Sequence, residues 1–297
     1  MRRLAVLSVL ACAMGGTWAT ADSTVNVTPS NMNEWTLNSF DGNGTIVNSG
    51  PYYGTAAMTT GPATPPIGTG SAHLATPAGA ADGAAAIATE SYDTTLLSSI
   101  TSLSYSTYDV TNNGQQFPYL AISIDTGAID NSGNGNTNQL DTLFFEPPYQ
   151  QGTATGNGSL PVQATPQQGE WQTWNAFVGG YWDNGFGSPI PIDQVGNPGT
   201  GVEPLTAFLA AYPDATIANG GLPGLGGIAM QVGFESSGDT EDGYVDNFTI
   251  GINGVNTTYN FDPDATVPLP ASAWSGLALL GGLGLLGGVK RMRRQII

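Results

Sequence analysis

No lysine or arginine occurs between Arg3 and Lys290 in this 297-residue chain. The six basic residues, Arg2, Arg3, Lys290, Arg291, Arg293 and Arg294, sit at the two ends, whereas all 23 acidic residues fall between Asp22 and Asp264. Nucleic acid is held by cations that displace counterions from phosphates, so the middle of the chain has no means of binding it. Phosphate esters and anionic lipids are disfavoured for the same reason. Uncompensated carboxylates repel one another, which makes divalent cations the natural partners of such a surface.

Histidine and cysteine are equally scarce. Ser-His-Asp or Cys-His catalysis would have to use the one histidine, His73, which stands in the string GSAHLATP on an expected strand and reads as a structural residue. Zinc sites made from several His or Cys ligands cannot be built. The glycine runs lack the Gly-Lys-Ser/Thr ending of a phosphate-binding loop. Glycoside hydrolysis needs only two carboxylates, and Glu90, Glu146, Glu170 and Glu235 keep it formally open, but no compact E-x-D-x-x-E strand occurs.

Both ends read as addresses. Residues 1–21 have the form of a signal peptide: Arg2 and Arg3, an apolar run, then the small-residue site Ala19-Thr20-Ala21. The one cysteine, Cys12, closes the string Val9-Leu10-Ala11-Cys12, a lipoprotein-like alternative with a shorter apolar lead. Cleavage after Ala21 leaves a mature chain starting at Asp22, with no cysteine and hence no disulfide. At the other end, 264–270 is a linker and 271–289 is nearly free of polar residues. At about 1.5 Å per residue this run is about 28 Å long, which matches the hydrocarbon core of a bilayer. The basic tail 290–297 predicts a cytoplasmic C-terminus with the region from Asp22 outside.

Val267, Pro268, Leu269, Pro270 and Ala271, followed by the span and the arginine cluster, resemble the VPLPA variant of the PEP-CTERM sorting signals of Gram-negative and related bacteria. Leu269 stands where Glu is usual in the commonest form. The resemblance implies an exosortase-type processing enzyme as a partner, cleavage near the motif, and association with extracellular polysaccharide or biofilm matrix.

Region 22–263 is rich in Gly, Thr, Ser and Asn, with short apolar runs between turn residues, a pattern that predicts an all-β domain. Leu120, Ile122 and Ile124 alternate, as do Ile228, Met230, Val232 and Phe234. Further strands are expected at 71–75, 84–90, 102–110, 141–146, 171–177, 244–252 and 257–261. So many strands joined by long polar loops suggest a two-sheet sandwich, jelly-roll-like, with one short helix at 204–212. The stretches 61–70 and 188–201 read as loops. The strings GEWQTWNAFVGGYW, LTAFLAAYPDATIANGG, GGIAMQVGF and GYVDNFTIGINGVNTTYNFDP look like a widespread family of secreted bacterial β-sandwich domains. That resemblance implies fold and export and carries no catalytic residue.

Two sets of residues point to ligands. Strict alternation over 244–250 puts Asp246 on one face with Tyr244, Phe248 and Ile250, facing inward. An inward carboxylate needs a partner and no cationic side chain is at hand, so it either takes backbone N–H groups or binds Ca2+ with Asp239, Glu241 and Asp242. Asp125, Asp130, Asn131, Asn134 and Asn136 form a second oxygen-rich loop. Sugar rings stack on aromatic faces, for which Trp171, Trp174, Tyr181 and Trp182 are the candidates, with Phe186 nearby. On a strand Trp171 and Trp174 face opposite ways, which makes one of them core. The expectation is a non-catalytic, exported surface or matrix protein that binds or organises polysaccharide. A structural protein making protein–protein contacts is the alternative, and a secreted glycan-active enzyme the third.

Overall fold

The computed structural model describes residues 21–41, 45–47, 53–76, 83–112, 116–127, 140–150, 160–183, 202–219, 226–234 and 240–264. The chain divides into two compact units, 1–263 and 264–297, and the fold is that of the first. Nearly all of the signal segment, the motif Val267 to Ala271, the apolar run and the basic tail lie outside the described residues. So do Asp130, Asn131, Asn134, Asn136, Phe186, Glu235 and Asp239. No helix among the described residues is long and apolar enough to cross a membrane.

The strands in chain order are β1 (Ser23–Val27), β2 (Trp35–Phe40), β3 (Thr55–Thr60), β4 (Gly70–Ala75), β5 (Ala84–Thr89), β6 (Ile100–Thr111), β7 (Tyr119–Asp125) and β8 (Leu140–Phe145). They continue with β9 (Trp171–Asn175), β10 (Gly180–Asp183), β11 (Glu203–Pro204), β12 (Thr216–Ile217), β13 (Ile228–Gly233), β14 (Asp242–Ile252) and β15 (Val255–Phe261). They form two sheets that make an all-β sandwich. One sheet has seven strands and runs β3-β4-β14-β6-β9, with β15 and then β1 joined to β14 beside β4. The other has eight strands and runs β2-β5-β13-β7-β8-β10-β11, with β12 on β7. The expected helix is α1 (Leu205–Ala211), which buries Leu205 and Phe208 in the core.

Alternation decides which residues fill the space between the sheets. Leu103 and Tyr105 from β6, Leu120, Ile122 and Ile124 from β7, and Ile228, Met230 and Val232 from β13 all join one core cluster. Trp35 bridges the sheets from β2, with its ring edge-on to Phe248, Tyr259 and Phe261 at centroid distances of 5.5, 5.1 and 5.0 Å. Such geometry sets the positive edge of one ring against the negative face of another. β14 and β15 are joined by Asn253-Gly254, both at positive φ, the conformation that a two-residue hairpin turn requires.

β14 departs from simple alternation. Its register against β6 shifts between Asp246 and Thr249, with Asn247 at φ 55°. This bulge adds a residue and reverses the phase of the strand. Val245 points into the core before it, and Phe248 and Ile250 point in after it. Tyr244 and Asp246 therefore turn to the outer face, which corrects the expectation that they share a side with Phe248 and Ile250.

Replacing Trp35 with Ala deletes the ring that three others pack against. We expect a loss of about 3–5 kcal/mol of stability, read as a lower urea midpoint.

Candidate functional site

β4, β14, β6 and β9 lie side by side, and their registers place four rings in one row across the outer face. His73 pairs with Tyr244, Tyr244 with Tyr108, and Tyr108 with Trp171. The ring contacts follow the register: His73 stacks on Tyr244 at 4.4 Å, Tyr244 meets Tyr108 edge-on at 6.3 Å, and Tyr108 meets Trp171 at 5.7 Å. All four side chains are half-buried. With neighbouring strands about 4.8 Å apart, the row is about 14 Å long.

The next outward positions are Ser71 on β4, Asp246 on β14, Ser106 on β6 and Thr173 on β9. Ser106 hydrogen-bonds Thr173 at 2.8 Å, and Thr249 hydrogen-bonds Thr258 at 2.8 Å. The 61–69 loop is tied to this face from one side. The Ser71 hydroxyl donates to the carbonyl of Gly61, and the Trp171 indole N–H donates to the carbonyl of Pro62 at 3.0 Å. Gly68, at φ 68°, lies so close to Asn260 and Asp262 that a Cβ would collide with both side chains.

Asp246 sits where the edge of β14 passes from β4 to β15. Its Oδ1 accepts the Phe261 N–H at 3.0 Å, and the amides of Asn247 and Ile67 also favour its charged form. Oδ2 is buried without a hydrogen bond of good geometry. Burial outweighs these donors and, helped by the charge of Asp262, pushes the carboxyl up to about 7. Asp109, at the end of β6, is raised to about 6, chiefly by burial and with a contribution from Asp242, against hydrogen bonds from Gln168 and Asn112.

His73 is no buried core residue. Its ring faces outward, and its Nε2 lies 2.8 Å from Asp242 Oδ1, with side-chain exposures of 25% and 36%. Of the four residues expected to hold calcium, Asp239 lies outside the described residues, and the other three point to different places. Asp242 faces the outer surface beside His73, Glu241 is buried with an oxygen toward the Gly233 N–H, and Asp246 caps the strand fork. Asp242 and Asp246 are four residues apart on an extended strand, about 13 Å. No group of three or more His, Cys, Asp or Glu that could hold a metal occurs among the described residues.

The sugar-stacking candidates also separate. Trp174 is fully buried, its indole N–H bonded to Thr107 Oγ1 at 2.8 Å, and Tyr181 is fully buried, its hydroxyl bonded to the Ala176 carbonyl. Neither offers a ring face to a ligand, which corrects their placement as platforms. Trp171 stays on the outer face, as opposite facing from Trp174 requires. Trp182 belongs to the other sheet, where it stacks on Phe144 at 4.5 Å and donates to Glu146 Oε1. Sequence reading missed Tyr108, Tyr244 and the outward His73. Alternation within each strand marks their faces, but only the cross-strand register aligns them.

Among the carboxylates considered for hydrolysis, Glu90 shares a polar cleft of about 480 Å³ with Glu34, lined also by Thr36, Asn38, Ser91 and Asn219. Glu34 accepts a hydrogen bond there from Ser91 at 2.8 Å. Comparison with known proteins finds no matching protein family, no matching curated protein and no matching solved structure.

A carboxyl whose folded pKa lies above its ordinary value contributes stability that is complete below the unfolded pKa and lost as pH rises through the folded one. For Asp246 that window runs from 3.8 to about 7, and for Asp109 from 3.8 to about 6. We expect the thermal midpoint to fall as pH rises across this range. Asp246→Asn should flatten the part between pH 6 and 7, where Asp109 no longer contributes; an unchanged slope there would remove Asp246 as the cause.

Proposed function

We propose that this chain is an exported, non-catalytic protein of the cell surface or matrix that binds carbohydrate on the outer face of its seven-stranded sheet. The in-register row His73–Tyr244–Tyr108–Trp171 carries the reading. Half-exposed rings beside hydroxyls supply what a sugar needs, since its C–H faces pack on aromatics and its hydroxyls exchange hydrogen bonds. The strand orders β4-β14-β6-β9 and β5-β13-β7-β8 support taking the sandwich as a jelly roll, an architecture that lectin domains also use. Export and sorting rest on the signal-like N-terminus and on the VPLPA motif, the apolar run and the basic tail. In this reading an exosortase-type enzyme processes the tail and the C-terminal span anchors the precursor.

A second reading, a structural component that contacts other proteins, draws on Val110, Phe177 and Val178, which are exposed at the two ends of the β6–β9 pair.

The test is binding of a glycan panel by the full chain in detergent. Trp171→Ala and Tyr244→Ala should each weaken the bound glycan about tenfold or more, whereas Trp182→Ala, on the other sheet, should leave it unchanged. No binding by wild type, together with concentration-dependent self-association that Phe177→Ser abolishes, would favour the second reading. Release of reducing ends from a host polysaccharide would overturn the non-catalytic one. Calcium is tested separately: a thermal midpoint that rises with calcium and falls with chelator supports a structural ion, and an unchanged midpoint removes it.

A further inference from the structure

The charges around the aromatic row have one sign. Asp242 stands beside Tyr244 with a half-exposed carboxylate, and its charge reaches both Tyr244 and Asp109. Exposed Glu170 is the chain neighbour of Trp171, in the turn that leads into β9. The one nitrogen base on the face, His73, is engaged by Asp242, and the sequence places no lysine or arginine anywhere from Asp22 to Asp264. A uronate or sulfate lying on these rings would meet the Asp242 carboxylate, and the one nitrogen base on the face is already engaged by it. A neutral sugar would gain stacking alone. An ammonium group would gain the ring faces, which attract cations, and the carboxylate too.

We propose that the row takes a cationic polysaccharide, an extended chain of amino sugars with free amines, whose rings pack along Tyr244, Tyr108 and Trp171 and whose ammonium groups meet Asp242. The length of the row suits several linked sugars rather than one. This inference rests on the carbohydrate reading and names the class of glycan. Selectivity comes from the difference between partners: the same face that welcomes amines repels acidic chains and leaves acetylated ones without their ion pairs.

Titration calorimetry on the full chain in detergent tests it with three probes, a glucosamine hexamer, its N-acetylated counterpart and an oligouronate of equal length. We expect the glucosamine hexamer to bind about tenfold tighter than the acetylated one, and the oligouronate not to bind. Asp242→Asn should erase most of the preference while residual binding of both hexamers survives, and high salt should do the same. Trp171→Ala should weaken both hexamers. Equal or tighter binding of the acetylated hexamer would overturn the amine inference and leave the carbohydrate reading standing. Failure of all three probes to bind would count against the carbohydrate reading itself. Polylysine serves as the control for general attraction to an acidic protein: if it displaces the glucosamine hexamer and Trp171→Ala has no effect, the aromatic site is not the receptor and the inference fails.

Discussion

β14 has three neighbours where a sheet strand ordinarily has two, and the domain is arranged around the point where two of them divide its edge. Val245 is the last residue paired with β4, and Phe248 is the first paired with β15. Between them the Phe261 N–H would lack an acceptor in the ladder, and the Asp246 carboxylate supplies one. Asn247, which tolerates positive φ better than most residues, absorbs the extra residue. The same two residues thus set the phase on both sides. Tyr244 is sent outward to join the aromatic row, while Phe248 and Ile250 are sent inward to meet Trp35 and the rest of the core.

The fold was largely legible because it rests on local periodicity. The apolar runs at 120–124 and 228–232 lie on β7 and β13, whereas Phe234, expected to continue the second run, falls just past β13 at positive φ and is exposed; the helical spacing of Leu205, Phe208 and Leu209 matches α1. β1 and β3 escaped notice, being rich in Thr, Asn and Ala, so that pairing more than apolar content makes them strands; β2 escaped because its buried residues Trp35 and Phe40 are separated by Thr, Asn and Ser. The candidate site was legible only in part. Trp171 was found, but Trp174 and Tyr181 are core residues whose polar atoms are satisfied internally, a distinction that composition does not reveal. Alternation also failed at Asp246, because a bulge leaves no mark in the apolar pattern beyond an Asn. The aromatic row depends on registers between strands more than a hundred residues apart in places, and no local signal encodes those.

The two outer faces of the sandwich are chemically unlike. That of the eight-stranded sheet is built on small apolar residues, Ala84, Ala86, Ala88, Ala121 and Ala229, with Phe40, Tyr119 and Phe144 among them, all buried. That of the seven-stranded sheet carries the aromatic row and its bed of Ser, Thr and Asn. The difference follows from which alternate positions of each strand hold hydroxyls and rings, and it places the recognition chemistry on one side. The buried acids Asp246 and Asp109 sit under and beside that side, so the stability of the face depends on their protonation as well as on its packing.

Trypsin-like proteases cut after lysine or arginine, and amine-directed reagents that act on side chains need lysine. The stretch from Asp22 to Asp264 has neither residue, so it resists that whole class of enzyme by composition alone, folded or unfolded. The resistance is lost only at the two ends, where every cleavable bond of this kind is concentrated. A digest designed around such cuts would carry the entire sandwich as one large peptide.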